Sequence, residues 1–221
     1  MKAIQSLLSF NAGYVDTAGF LALHGLFTTH VTGNFVTFGA ALALGTTGVL
    51  AKLLALPLFC VVIMLMRLLR LSLPVMLGAQ FALLSTGAAL AMRFGPFPDG
   101  DAPLALAVGA ALVAAMAIQN ATHRTHLAAV PATTVMTLTT TQVMVDLADI
   151  IRGADAETKA AARRRFSTMV PGIVCFAIGC FAAAWAYASF REACFLAPPV
   201  VALAVLIIER IGSREPAAGP V

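Results

Sequence analysis

Charge is what this sequence has least of: only 11% of its 221 residues are Asp, Glu, Lys or Arg, against 60% apolar, with a mean hydropathy of +0.93. Soluble domains carry about 25% charged residues, so most of this chain cannot face water. A single membrane anchor is excluded as well, because no polar remainder is left to form a soluble domain. Catalytic signatures are missing too. The sequence has no phosphate-binding Walker loop, no nucleophile elbow, no His-Glu-x-x-His and no dinucleotide fingerprint. Neither a Gly-x-Ser-x stretch nor a pair of Asp residues suited to intramembrane proteolysis is present. The four cysteines (Cys60, Cys175, Cys180, Cys194) lie in or beside apolar runs, with no CxxC and no Cys/His spacing that would hold zinc. They read as small buried hydrophobes. The expectation is a protein without cofactor or bound metal, and not an enzyme.

Fourteen basic against ten acidic residues give a net charge of +4 and a pI near 9.2. The basic residues sit at the ends of apolar runs, which points to lipid headgroups and topology rather than to nucleic acid. The opening Met1-Lys2 and its apolar run imitate a signal peptide. An Asp inside the run, and the lack of a small-residue cleavage site, make it a first span instead.

A spanning helix needs about 20 mostly apolar residues. Six such segments are predicted, near residues 6–27, 50–70, 72–92, 103–122, 168–190 and 193–209. Lys52, Arg67 and Arg70 flank the second, where long side chains can snorkel to the interface. Pro198-Pro199 predicts a kink near the start of the sixth. Ala154–Phe166 is helix-prone and basic at its end, and is expected on the membrane surface or below the bundle. Two more stretches, Thr28–Gly45 and Pro131–Asp149, are apolar but rich in hydroxyl and β-branched residues at their starts. Each is predicted to be an extended entry followed by a half-helix. Six spans with a cytoplasmic N-terminus put 11 of the 14 basic residues inside; eight spans would put 10 there. The positive-inside rule favours six by a narrow margin, with both termini cytoplasmic.

A repeat lies beneath this pattern. Thr28-Thr29-His30-Val31-Thr32 matches Thr133-Thr134-Val135-Met136-Thr137 at an offset of 105, and Asp16 falls opposite Asn120. Three spans per half is an odd number, so the second copy would insert upside down. The expected fold is an all-α integral membrane protein of six transmembrane helices and two re-entrant segments. Its 3+3 inverted repeat would divide into residues 1–98 and 99–214, followed by a disordered tail at 215–221.

The stretches Asn11-Ala12-Gly13-Tyr14-Val15-Asp16 and Thr28 to Asn34, with Gln119-Asn120-Ala121 and Thr133 to Thr137, resemble the YoaK-like family of bacterial multi-pass membrane proteins. The likeness covers nearly the whole chain. Where that family often has a second Thr-Gly-Asn, this chain has Thr137-Leu138-Thr139. The resemblance implies a bacterial inner-membrane protein and supplies no activity.

Asp16 is the one acidic residue deep in a predicted span, where an ionised carboxylate costs about 2.5–3.5 kcal/mol on insertion scales unless paired. It reads as a cation, proton or substrate site, or as a structural hydrogen-bond hub. Thr32-Gly33-Asn34 suits a broken helix whose free N–H groups attract an anion, or an ordinary cap. Gln119 and Asn120 are candidate ligands or interhelical glue. His30 could relay protons with Asp16, while His24 is placed on the preceding helix; His123, Arg124 and His126 read as headgroup contacts. Together Asp16, His30, Thr32, Gly33, Asn34, Gln119, Asn120, Thr133 and Thr137 form the candidate substrate site, expected where the two breaks meet at mid-membrane. The functional expectation is a small secondary transporter or channel-like permease for a small molecule or ion, possible as a homodimer through the small residues of Gly172–Ala184. The alternative is a non-transporting scaffold that binds lipid or a partner through the basic loop 152–165.

Overall fold

A computed structural model describes residues 2–128, 131–134 and 136–212; the tail expected to be disordered, and Val135 of the repeat, lie outside the described residues. The described residues form helices and no strand: α1 (Lys2–Ala22), α2 (Asn34–Leu44), α3 (Val49–Leu69), α4 (Leu73–Phe94), α5 (Pro103–His126), α6 (Met136–Ile151), α7 (Ala156–Phe190) and α8 (Ala197–Gly212). Short 3-10 turns, Val31–Gly33 and Arg191–Leu196, precede α2 and α8. Val49–Leu69, Leu73–Phe94 and Pro103–His126 are long and apolar enough to cross a bilayer, as is the stretch Ala156–Gly212 that holds α7 and α8. The chain is a multi-pass helical membrane protein. Although 21 residues long, α1 falls short on composition because it carries Gln5, Ser9, Asn11 and Asp16, all of them buried. Its polar groups face protein, not lipid, as the cost of exposing them to hydrocarbon requires.

Helix ends follow local chemistry. Ala22 ends α1 because His24 (φ 53°) and Gly25 (φ 84°) take left-handed conformations, and Gly25 alone does so without a Cβ penalty. The first helix therefore stops five residues short of the predicted span, and His24 lies beyond it. Pro198 and Pro199 fall in the first turn of α8, where the missing N–H is no loss, so they start a helix rather than kink one. The side chain of Asp155 accepts the Thr158 N–H (2.7 Å), and that bond holds its carboxyl below the ordinary aspartate range. From this cap α7 runs 35 residues without a break, so the helix-prone stretch 154–166, expected on the membrane surface or below the bundle, supplies its cap and first turns.

The packing is paired. The first helix lies on α7 and α8, and α5 lies on α3 and α4. The half-length α2 rests on α3 and α6 on α7, while α4 meets α8. Glycine brings α1 and α7 to backbone contact: a Cβ on Gly13 would overlap the Phe176 carbonyl, and one on Gly179 the Phe10 carbonyl. Small residues permit such approaches in lipid, where dispersion replaces the hydrophobic effect between helices. Gly172, Gly179 and Ala183, expected to serve a dimer, are thus buried, with Gly172 and Gly179 turned to α1 of the same chain.

Which ends lie together fixes the path of α2. His24 Nε2 bonds the Phe97 carbonyl (2.7 Å), while Asp101 accepts the N–H groups of Gly48, Val49 and Ala51 at 3.0–3.1 Å. The exit from α1 and the entrance to α3 are therefore neighbours. Between them the chain dips back along α1 and α2 returns it. At the opposite end Ile4, Leu77, Leu127 and Val205 cluster, and Gln5 donates to the Thr168 carbonyl. There α6 is tied to α7 by a two-pronged Arg165–Asp146 pair (2.7 and 2.8 Å).

The glycine contact can be tested. Gly13→Ala and Gly179→Ala should each cost about 1–3 kcal/mol, as overpacking does in tight cores. Gly39→Ala and Gly78→Ala, where an added Cβ meets nothing within 4 Å, should hold or raise stability. Thermal melting of the four variants in detergent decides; equal effects would refute the close α1–α7 approach.

Candidate functional site

The dip after α1 places a run of non-helical backbone inside the protein, and its N–H groups need acceptors. Asp16 supplies them. Its Oδ1 accepts from the Thr28 N–H (2.8 Å), the Thr29 N–H (2.8 Å) and the Thr28 hydroxyl (3.3 Å). Its Oδ2 faces His30 Nδ1 at 2.5 Å, and the carboxylate is only 5% exposed. Charge-assisted bonds of this kind are roughly twice as strong as neutral ones. Thr28 and Thr29 are therefore the working residues of the first break, and the repeated Thr-Thr pair was the signal for them.

Asn34 has a different task from the one expected. It is the first residue of α2, and its amide pairs with both backbone groups of Phe27: the Phe27 N–H donates to Oδ1 (2.9 Å) and Nδ2 donates to the Phe27 carbonyl (2.8 Å). It staples the loop and does not cap the half-helix. Gly33 has φ −62°, open to any residue, and is covered by the Phe27 ring. Thr32 is exposed and apart from Asp16.

Beside Asp16 and His30 opens a groove of about 350 Å³, walled by Phe20, Phe27, Phe176 and Cys180. The His30 ring stands edge-on to Phe176 (5.6 Å between centroids) and to Phe27 (6.3 Å). Its side chain is 38% exposed, so the groove reaches the carboxylate through the imidazole.

The second break repeats the plan with neutral groups. Gln119 Nε2 donates to the Thr133 hydroxyl (3.0 Å) and the Leu8 carbonyl (2.9 Å), and Gln80 Nε2 donates to Gln119 Oε1 (2.7 Å). The Thr134 hydroxyl donates to Asn120 Oδ1 (2.7 Å), and Asn120 Nδ2 to the Met116 carbonyl (3.0 Å). Thr137 is exposed and takes no part in this cluster. Thr134 replaces it, and Gln80 joins from α4.

The two breaks do not meet. Gln119 lies level with Leu8, eight residues below Asp16 on α1, or about 12 Å along the axis at 1.5 Å per residue. Apolar side chains, among them Val15 and Met116 at 0% exposure, fill the core alongside. The expected single midplane site is two half-sites displaced toward opposite ends of the bundle. Asn11 is a further feature that spacing alone did not flag: fully buried, it finds no partner for either amide atom among the described residues.

The chain belongs to the family described as a protein of unknown function, DUF1275, whose model matches residues 4–208. The YoaK-like resemblance agrees with that membership. No curated protein and no solved structure matches the chain.

The two half-sites should respond unequally to truncation. Asp16→Ala leaves buried N–H groups and His30 without their acceptor, a loss of about 3–5 kcal/mol. Asn120→Ala removes neutral bonds and should cost about 1 kcal/mol. Melting in detergent measures both, and similar losses would refute Asp16 as the principal anchor.

Proposed function

We propose that this protein is a small secondary transporter or channel-like permease of the bacterial inner membrane, made of two inverted three-span halves. In this reading α1, α3, α4, α5, α7 and α8 span the bilayer, and α2 and α6 are re-entrant half-helices. The packing pairs support it: exchanging α1 with α5, α2 with α6, α3 with α7 and α4 with α8 turns the set of contacts into itself. The observation that carries the reading is the recurrence of one arrangement at opposite ends. A polar residue six residues from a helix end binds a Thr-Thr pair in the following non-helical segment, Asp16 with Thr28-Thr29 and Asn120 with Thr134 beside Gln119 with Thr133. Interrupted helices in inverted repeats are where secondary transporters hold substrates and coupling ions.

The expected route joins the two half-sites through the core that separates them. Each entry segment is held by side-chain bonds rather than by a helix ladder, so it is the part of its half most readily displaced. At the two Thr-Thr breaks, the first is held by the titratable Asp16 and His30, which suits a proton or cation there. Gln119 and Asn120 offer neutral amides that suit either an ion or a small polar molecule. The distribution of basic residues supports a cytoplasmic position for both termini.

A scaffold reading is favoured by one specific fact: the loop already engages both Asp16 oxygens. Flux separates the two. Protein reconstituted in liposomes is given proton, sodium and chloride gradients in turn. A permease should dissipate at least one, and Asn120→Ala should abolish that flux for a loss of only about 1 kcal/mol of stability. No flux in any gradient, or losses that only track melting, would favour the scaffold. Reporter fusions in the loops at 94–101 and 153–162 test the topology. Opposite sides are expected, and a common side would overturn six spans.

A further inference from the structure

We propose that the end of the bundle opposite Asp16 holds a specific site for an anionic phospholipid, its phosphate between Arg67 and Arg70, beside His126, and an acyl chain along α3. This site stands apart from the half-sites above and does not depend on transport.

A cavity of about 530 Å³ lies where the α3–α4 turn meets the end of α5, lined by Arg67, Arg70, Met76, Thr125 and His126. His126 Nε2 bonds the Leu71 carbonyl (3.0 Å), which fixes the imidazole against the turn. Thr125 gives its hydroxyl proton to the Ala121 carbonyl (2.8 Å), so it lines the cavity without donating to an anion. Arg70 ends α3 in a left-handed conformation (φ 49°) that turns the chain into the cavity wall.

Among the described residues this charge has no acidic partner lining the cavity. No Asp or Glu occurs between Asp16 and Asp99, nor between Asp101 and Asp146, so α3, α4 and α5 carry no carboxylate. The ion pairs His30–Asp16 and Arg165–Asp146 lie elsewhere. Glu209 of α8 is at the same end of the bundle and does not line the cavity. Two guanidiniums that converge on one cavity without an acid recognise a phosphate oxyanion, for which their planar fork is suited.

The neighbouring groove identifies the source of that phosphate. A second cavity of about 520 Å³ shares Arg67 and Leu68 with the first and continues along α3 past Ile63, Phe59 and Leu56 to Val31. Its walls are almost wholly apolar. A free phosphate would use only the first cavity, whereas a phospholipid fills both, with the Arg67 stem lying at the boundary as a snorkelling side chain does.

The test uses the full chain in detergent, titrated by native mass spectrometry with phosphatidylglycerol, phosphatidylcholine or inorganic phosphate alone. Phosphatidylglycerol should be retained preferentially and should raise the melting temperature. Arg67→Gln with Arg70→Gln should weaken it roughly tenfold or more, at about 1 kcal/mol per basic residue. Arg163→Gln with Arg164→Gln, an equal loss of charge elsewhere, should leave it unchanged. Ile63→Trp, which fills the groove and keeps both guanidiniums, should also weaken it. Equal retention of the two lipids, or equal loss in both double variants, would overturn the site. Binding of inorganic phosphate that Ile63→Trp leaves intact and that displaces the lipid would overturn the lipid assignment in favour of a free anion.

Discussion

The fold turns on one carboxylate. A chain that re-enters a bundle without helix or sheet carries backbone N–H groups into a region with no water to satisfy them, at a cost of several kcal/mol per group. Asp16 meets that demand from a neighbouring helix, with two N–H groups and a hydroxyl on one oxygen and an imidazole on the other. A neutral side chain would offer weaker acceptance. The same bonds are what make a charge tolerable at this depth, so carboxylate and break stabilise each other. The dip of residues 27–30, the position of α2 and the groove beside His30 all follow from this pairing.

The first helix can hold so polar a residue because it is wrapped by protein. Gly13 and Gly179 draw α7 to backbone contact along one side, and α5 and α8 cover others. This is also why α1 lacks the composition of a lipid-facing span. Composition describes what a helix touches, and α1 touches other helices. The lipid-facing α3, by contrast, is the most apolar of the long helices and keeps its charges at its ends.

Much of this was legible in the residues. Asp16 in an apolar run, the Thr-rich breaks and their recurrence after 105 residues led to the right segments, and the extended entry before α2 follows from them. Other features were hidden because they depend on three-dimensional neighbours. Asn34 follows a glycine as a capping residue would, yet its amide is claimed by Phe27 seven residues back. Thr137 echoes Thr32 in the repeat, but both are exposed, and the pair before each is the one that turns inward. Pro198-Pro199 signals a disturbed helix, and only the positive φ of Arg191 and the 3-10 turn after it tell that the helix begins there. Gln80 has no repeat-related signal, since its role arises from lying opposite Gln119.

The halves are alike in plan and unequal in chemistry, and the inequality has a physical reason. In the first half the acceptor at the break must satisfy two backbone N–H groups, which an anion does best. In the second the partners are the Thr133 and Thr134 hydroxyls, which can rotate to donate or accept, so neutral amides suffice. The two segments can therefore share one geometry while only the first is held by a carboxylate. A carboxylate–imidazole pair thus lies on one side of the apolar core and amides on the other, with Asn11 buried and without a partner among the described residues. An unsatisfied amide in so closely packed a bundle is costly, and Asn11 carries that cost within the packed stretch of α1 that separates the level of Gln119 from Asp16.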